Sequence, residues 1–250
     1  MGILEIRNLT KRYDAVTVLD DLTLDVIECT LLCLLGPNGA GKTTTMDMIT
    51  GRQKPDEGSI VFDGVDIRGL QEHQIARRGI GRKFQVPAVF RDLSVQENLA
   101  MAATQELNPI RNMLRFGGRS DRQRIGEVAD RVGLADRVGL QASQLSHGEI
   151  QWLEIGMVLM QSPKLLLMDE PTAGMTESET EKTAAIFNGL KRSHTLVVVE
   201  HDMGFVREIA DRVTVMHFGH VLSEGTIAQI EADPRVRDVY LGTEEVDDAA

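Results

Sequence analysis

The stretch TLLCLLGPNGAGKTTTMDMITG, residues 30–51, constrains this chain more than any other. Its apolar run, Leu31 to Leu35, reads as a strand covered on both faces. The run breaks at once into a glycine-rich turn. KTTTMDMIT then reads as a short helix stopped at Gly51, since glycine commonly stands just past a helix's last residue. The turn fits G-x-x-x-x-G-K-[ST] through Gly36, Gly41, Lys42 and Thr43. Backbone N–H groups at such a helix start, aided by the helix dipole, cradle phosphate. The expected nucleotide contacts are therefore Gly36, Pro37, Asn38, Gly39, Ala40, Gly41, Lys42, Thr43 and Thr44. Lys42 would reach the terminal phosphates and Thr43 would ligate Mg2+. The motif fixes nucleotide binding and leaves the reaction open.

The surrounding pattern is α/β. ILEIRNLT and LTLDVI alternate as half-buried strands do, and PDEGSIVFDGVDI reads as a hairpin with Asp63-Gly64 at its tip. From about Val86 to Gln144 the pattern turns helical, with Gly and Asn-Pro breaks. Arg111 to Arg124 holds the only basic cluster, read as a solvated face with a partner-facing surface as the alternative. KLLLMDE, HTLVVVE and the hairpin VTVMHFG–HVLSEG then alternate with the helical segments ESETEKTAAIFNGLK and MGFVREIADR. Strands separated by helices imply a parallel sheet with helical crossovers. The acidic end, 243–250, reads as a disordered tail.

A second group of residues narrows the chemistry. Asp169 and Glu170 close the stretch KLLLMDE, at the strand end where open parallel sheets bind ligands. Asp169 could hold Mg2+ through water, and Glu170 could orient or deprotonate an attacking water. His201 follows LVVVE, the next apolar strand, and could meet a terminal phosphate there. Gln85, in GRKFQVPAVF, could touch Mg2+ and the attacking water from a loop that senses a partner. In LSHGE, Ser146 and Glu149 form a capping box, and Ile150, Leu153, Met157 and Met160 recur at helical spacing behind it.

Charge and composition exclude some roles. The chain carries 27 Lys and Arg against 38 Asp and Glu, a net charge of −11, which argues against nucleic acid as a partner. Its two cysteines, Cys29 and Cys33, read as thiols of a buried strand rather than a disulfide or metal pair. LLCLL and LVVV fall far short of the ~20 residues that span a bilayer, and MGILEIRNL lacks the apolar run of a signal peptide. The isolated chain is expected to be soluble, reaching any membrane through a partner.

Taken together, the phosphate loop, Gln85, LSHGE, LLLMDE, the PTAGMT loop and His201 resemble the ATP-binding-cassette (ABC) ATPase family, in order and over about residues 3–242. The resemblance implies a P-loop NTPase with a RecA-like core and an antiparallel β subdomain over about 3–85 and 161–242. A helical subdomain would occupy about 86–160. It implies an ATP hydrolase in which Glu170, His201, Gln85 and Lys42 are catalytic, Thr43, Gln85 and Asp169 hold Mg2+, and Tyr13 stacks on adenine. It also implies a head-to-tail dimer, of identical or paralogous subunits. ATP would lie between Gly36–Thr44 of one copy and Ser146, His147, Gly148 and Glu149 of the other. Membrane permease subunits would contact the loop near 86–95, and an extracytoplasmic solute-binding protein would act indirectly. The subunit would sit peripherally on the cytoplasmic face of the membrane.

Gly148 is a poor helix former in a first turn, and a phosphate arriving from a second copy would explain it. IGRKFQVPAVF, QWLEIGMVLMQSPKLLLMDEPTAGMTESET, LVVVEHDMGFVR and DVYLG are similar to the branched-chain amino acid class of importers. AGMT and the His of LSHGE favour its urea or short-chain amide subgroup. The alternative, a soluble cassette acting on nucleic acid or ribosomes, would carry a second cassette, a coiled coil or a basic arm.

Three departures from the family pattern stand out. His147 and Glu149 replace residues of the usual LSGGQ. Thr176 stands where Asp or Asn is usual, and IECT lacks the usual turn glycine. An imidazole at 147 beside phosphates would make closure pH-sensitive, an expectation that an unchanged pH profile in His147→Gly would remove.

Overall fold

The computed structural model of the protein describes residues 2–83, 89–103 and 119–239. Gln85, residues 86–88 of the expected permease-facing loop, most of the basic cluster and the acidic tail lie outside the described residues. Two sheets organise what is described. The first is antiparallel, in the order β2-β1-β4-β5, from β1 (Gly2–Tyr13), β2 (Val16–Ile27), β4 (Glu57–Phe62) and β5 (Val65–Asp66). Asp63 and Gly64 turn the β4–β5 hairpin, both at positive φ.

The second sheet has six strands in the order β10-β9-β3-β8-β7-β6. These are β3 (Leu31–Leu35), β6 (Ile80–Arg82), β7 (Leu165–Asp169), β8 (Thr195–Val199), β9 (Arg212–His217) and β10 (His220–Gly225). All neighbours are parallel except β9 and β10, which form the antiparallel hairpin expected from sequence. Every residue of β3, β7 and β8 is buried. The reason is that this sheet is covered twice. Successive side chains on a strand point to opposite faces. Leu31, Cys33 and Leu35 enter one core with Leu166, Met168, Leu196 and Val198, while Leu32 and Leu34 enter the other with Leu165, Leu167, Val197 and Val199.

The antiparallel sheet and the short helices α1 (Lys42–Ile49) and α2 (Glu72–Arg77) cover the second face. The first face carries the remaining helices. Between β6 and β7 the described chain is helical: α3 (Val95–Ala102), α4 (Arg119–Arg131) and α5 (His147–Leu159). Then come α6 (Glu177–Leu190), α7 (Met203–Ile209) and α8 (Ile227–Ala232). Among the described residues, no helix is long and apolar enough to cross a membrane.

Two expectations change. Cys33 is a buried free thiol, as expected, but Cys29 is exposed, because the strand starts only at Leu31 and Cys29 lies in the turn before it. Cys29 sits at φ 56 and so holds the left-handed conformation that the glycine missing from IECT would adopt without strain. The apolar stripe expected on α5 is part of a helix buried nearly all round, Gln151 and Glu154 included.

Candidate functional site

Parallel pairing gathers the candidate residues. Leu34 of β3 and Asp169 of β7 both pair with Val199 of the strand between them. The segments that leave the C-terminal ends of β3, β7 and β8 therefore emerge at one sheet edge. They carry the glycine-rich turn, Glu170, and Glu200 with His201. This is the edge at which such sheets bind ligands.

The glycine-rich turn leads into α1 through Gly41 at φ 98, with no side-chain cap on the helix start. Those uncapped N–H groups suit an anion. Gly36 stands at φ 144, and a Cβ there would lie 2.2 Å from the Met216 carbonyl oxygen, so β9 requires glycine at this position. Pro37 and Thr44 are half-buried, Ala40 is buried, and Asn38, Gly39 and Thr43 are exposed at the mouth of the turn. Lys42 folds back over it, Nζ donating to the carbonyls of Gly36 (2.6 Å) and Pro37 (3.0 Å). Burial pushes its ammonium pKa down, against the opposing pull of Glu170 and Asp169.

Asp169 is buried, and its Oδ2 has no hydrogen-bond partner. Arg82 Nη2 approaches that oxygen only to 3.7 Å, while Nη1 of the same guanidinium pairs with Asp47. Burial pushes the Asp169 carboxyl up, with Arg82 opposing. An orphaned carboxylate oxygen at a phosphate-binding edge fits a divalent cation. Among the described residues, no group of three His, Cys, Asp or Glu could hold a metal alone. Mg2+ is usually held by one or two protein oxygens together with substrate phosphates.

A consequence can be measured. Asp169→Asn removes a buried charge and should raise the Tm of the nucleotide-free protein by about 2–4 °C, the equivalent of about 1 kcal/mol at this length. The sign follows from the raised carboxyl pKa. Folding favours the protonated form, so the ionised form costs stability as pH rises through the carboxylate range. Calorimetry at neutral pH that shows a lower Tm would refute this account.

Glu170 is held at φ 46, an uncommon conformation for a residue with a Cβ, and its N–H donates to Val199 O at 2.9 Å. Its carboxylate is 44% exposed, with Oε1 3.8 Å from His201 Nδ1. A residue that sequence reasoning missed organises this corner. Glu200 is buried, and Oε1 accepts from Thr172 Oγ1 (2.6 Å) and Thr172 N (3.3 Å), while Oε2 accepts from His201 N (3.1 Å). It ties the loop after Glu170 to His201. A carboxylate ending the apolar run LVVV was its only sequence signal.

The capping box of LSHGE forms as expected. Ser146 Oγ accepts from Glu149 N at 3.2 Å, and Ser146 N donates to Glu149 Oε2 at 2.9 Å. The His147 ring turns toward its own chain, with Nε2 3.1 Å from Ala173 O and 2.9 Å from Gln151 Nε2. Gln151 also donates to Ala173 O (3.0 Å) and accepts from the buried Lys83 Nζ (3.0 Å). Thr176 caps α6, accepting from Glu179 N at 3.4 Å, so threonine fills a capping role that Asp or Asn can also fill. Tyr13 ends β1, 40% exposed, with Lys11 Nζ 5.2 Å from its ring centre. Among the described residues, no hydrogen bond joins the Gly36–Thr44 turn to Ser146–Glu149.

An uncapped helix start with a lysine over it, beside an orphaned carboxylate at the end of a parallel strand, defines a P-loop nucleotide-binding protein of α/β type. The sequence profile described as ABC transporter matches residues 19–173. A second, described as branched-chain amino acid ATP-binding cassette transporter, matches residues 220–246. The chain belongs to the ABC transporter family, as an ATP-binding, ATP-hydrolysing subunit of the branched-chain amino acid importer class.

The high-affinity branched-chain amino acid transport ATP-binding protein BraF of Pseudomonas aeruginosa is 35% identical over 249 residues, 96% of this chain and 98% of that protein. LivG of Escherichia coli K12, of the same description, is 34% identical over the same shares. The ADP conformation of the cassette MJ1267 superposes with a TM-score of 0.84 at 28% identity, covering 97% and 99% of the two chains. The dimeric post-hydrolysis cassette MJ0796, bound to ADP and Pi, gives 0.75 at 25% identity, covering 90% and 98%.

Proposed function

We propose that this chain energises import of urea or a related small polar solute, or of a branched-chain amino acid, with urea or a short-chain amide as the favoured cargo, working as one of two ATPase subunits beneath membrane permeases. The observation that carries the ATPase reading is the convergence of the glycine-rich turn, Asp169, Glu170 and His201 on one sheet edge. In this reading the Gly36–Thr44 N–H groups and Lys42 hold the β- and γ-phosphates, and Tyr13 stacks on adenine. Glu170 accepts a proton from the attacking water, and His201, beside it, contacts the γ-phosphate. Gln85 senses the permease. Thr43, Asp169 and Gln85 would hold Mg2+, which when bound neutralises developing phosphate charge.

Ser146, His147, Gly148 and Glu149 complete the site of a second copy. This division suits phosphoryl transfer, where positioning and electrostatics supply most of the catalysis. Permease contact falls near residues 86–95, and a solute-binding protein delivers cargo from outside. The whole works at the cytoplasmic face of the membrane.

The cargo reading rests on His147 and on the AGMT loop, Ala173–Thr176. BraF and LivG, both branched-chain amino acid transport ATP-binding proteins, favour branched-chain amino acids instead. Reconstituting the subunit with its permeases and binding protein decides the matter. ATPase activity should rise with urea or acetamide, and stimulation by leucine but not urea would refute the amide reading.

A further inference from the structure

The residues assigned above to a second copy's nucleotide already hold an anion of their own chain. Ser146 Oγ donates to Glu179 Oε1 at 2.8 Å, and the Gly148 N–H donates to the same oxygen at 3.3 Å. A hydroxyl and a helix-start N–H are the two kinds of donor that receive a phosphate oxygen at such a site. A Cβ on residue 148 would lie 2.6 Å from both Cδ and Oε1 of Glu179. The glycine that the sequence reading left for an incoming phosphate therefore admits, within one protomer, a carboxylate.

The placement is fixed by α5 packing on α6. Trp152 Nε1 donates to Thr183 Oγ1 at 2.9 Å, and Lys182 Nζ sits 4.0 Å from the centre of the Trp152 ring. Thr183 Oγ1 in turn donates to the Glu179 carbonyl at 2.8 Å, which sets Glu179 one turn back, facing the start of α5. The second carboxylate oxygen, Oε2, accepts from Thr176 N and Thr176 Oγ1, both at 3.0 Å. These bonds, led by the one from the Thr176 backbone, pull the Glu179 carboxyl pKa down, so it is an anion at neutral pH.

We propose that Glu179 is a positioning residue that occupies the Ser146–Gly148 seat as an internal stand-in for the terminal phosphate of a second copy's ATP, and must leave before the two copies close. The proposal rests on the sandwich reading given above. A carboxylate and a phosphate cannot share one hydroxyl and one N–H, because two anions at that separation repel. Glu179 can swing away on Oε2 without surrendering the cap of its own helix. The competition sets the ATP level at which closure begins. It also returns the seat to Glu179 once the terminal phosphate is gone.

The test uses the full chain carrying Glu170→Gln, with dimerisation followed by sedimentation velocity against Mg-ATP concentration. Adding Glu179→Gln keeps the side chain's size and an oxygen for Thr176 but removes the charge. The half-dimerising ATP concentration should fall about tenfold, the factor that about 1.4 kcal/mol represents. Glu179→Asp, which keeps the charge but falls short of Ser146, should shift it in the same direction. Urea unfolding of the nucleotide-free variants should show slightly lower stability, since a protomer contact is lost. A merely structural role would lower stability and weaken dimerisation together. An unchanged or higher ATP requirement in both variants overturns the proposal and leaves the sandwich reading intact. If Glu170→Gln alone forms no dimer with ATP, both fall.

Discussion

Glu170→Gln should cut the turnover number for ATP by at least about a hundredfold while leaving ATP binding within a few-fold of the parent. Gln matches Glu in size and can still orient a water, but it cannot take the proton that water must lose. Loss of a general base typically costs 10²–10⁴-fold. The backbone at this position strengthens the expectation. Glu170 is held at φ 46, and strained non-glycine conformations cluster where function requires a side chain to be aimed. Its carboxylate is turned outward at the sheet edge, 3.8 Å from His201 Nδ1, instead of into the core that buries Asp169 next to it. Phosphate release and nucleotide binding measured on the same preparation separate the two effects. Turnover within threefold of the parent would remove Glu170 from the chemistry and shift attention to the buried Glu200.

The second large effect is expected at Gly36. Ala there would place its Cβ 2.2 Å from the Met216 carbonyl oxygen and 3.1 Å from the Ala40 Cβ, at φ 144. Met216 belongs to β9, which pairs with β3 through Leu35 and Val215, so the obstacle is backbone within a buried sheet and cannot rotate aside. Either β9 shifts, and two cores that meet on this sheet are strained, or the turn shifts, and the phosphate cradle is lost. Gly36→Ala should therefore cost about 3 kcal/mol or more, a Tm fall on the order of 10 °C, and weaken ATP binding at least about tenfold. Calorimetry and a nucleotide titration check it. A variant with unchanged Tm and unchanged binding would mean that the turn is looser than its contacts imply.

How much of this was legible beforehand follows from how far apart the interacting residues lie. The phosphate turn, the Asp169-Glu170 pair at a strand end, the β4–β5 hairpin and the Ser146–Glu149 capping box each lie within a few consecutive residues. Period, glycine placement and cap chemistry act at that range, so the local pattern was enough. The departures at Cys29 and Thr176 were visible as letters but acquired meaning only as conformations, a left-handed turn residue and a helix cap.

The remaining contacts had no local signature. Arg82 lies against Asp169 because β6 and β7 pair in parallel across the whole helical insertion. Glu200 holds Thr172, 28 residues away, because β7 and β8 end side by side. Ser146 meets Glu179, 33 residues on, because Trp152 locks α5 onto α6. By itself the sequence determined which elements form and which residues can bind phosphate, since those depend on near neighbours in the chain. Only the tertiary structure decided that the Ser146–Gly148 helix start faces a carboxylate of its own chain, because strand pairing and helix packing bring together residues that no sequence spacing relates.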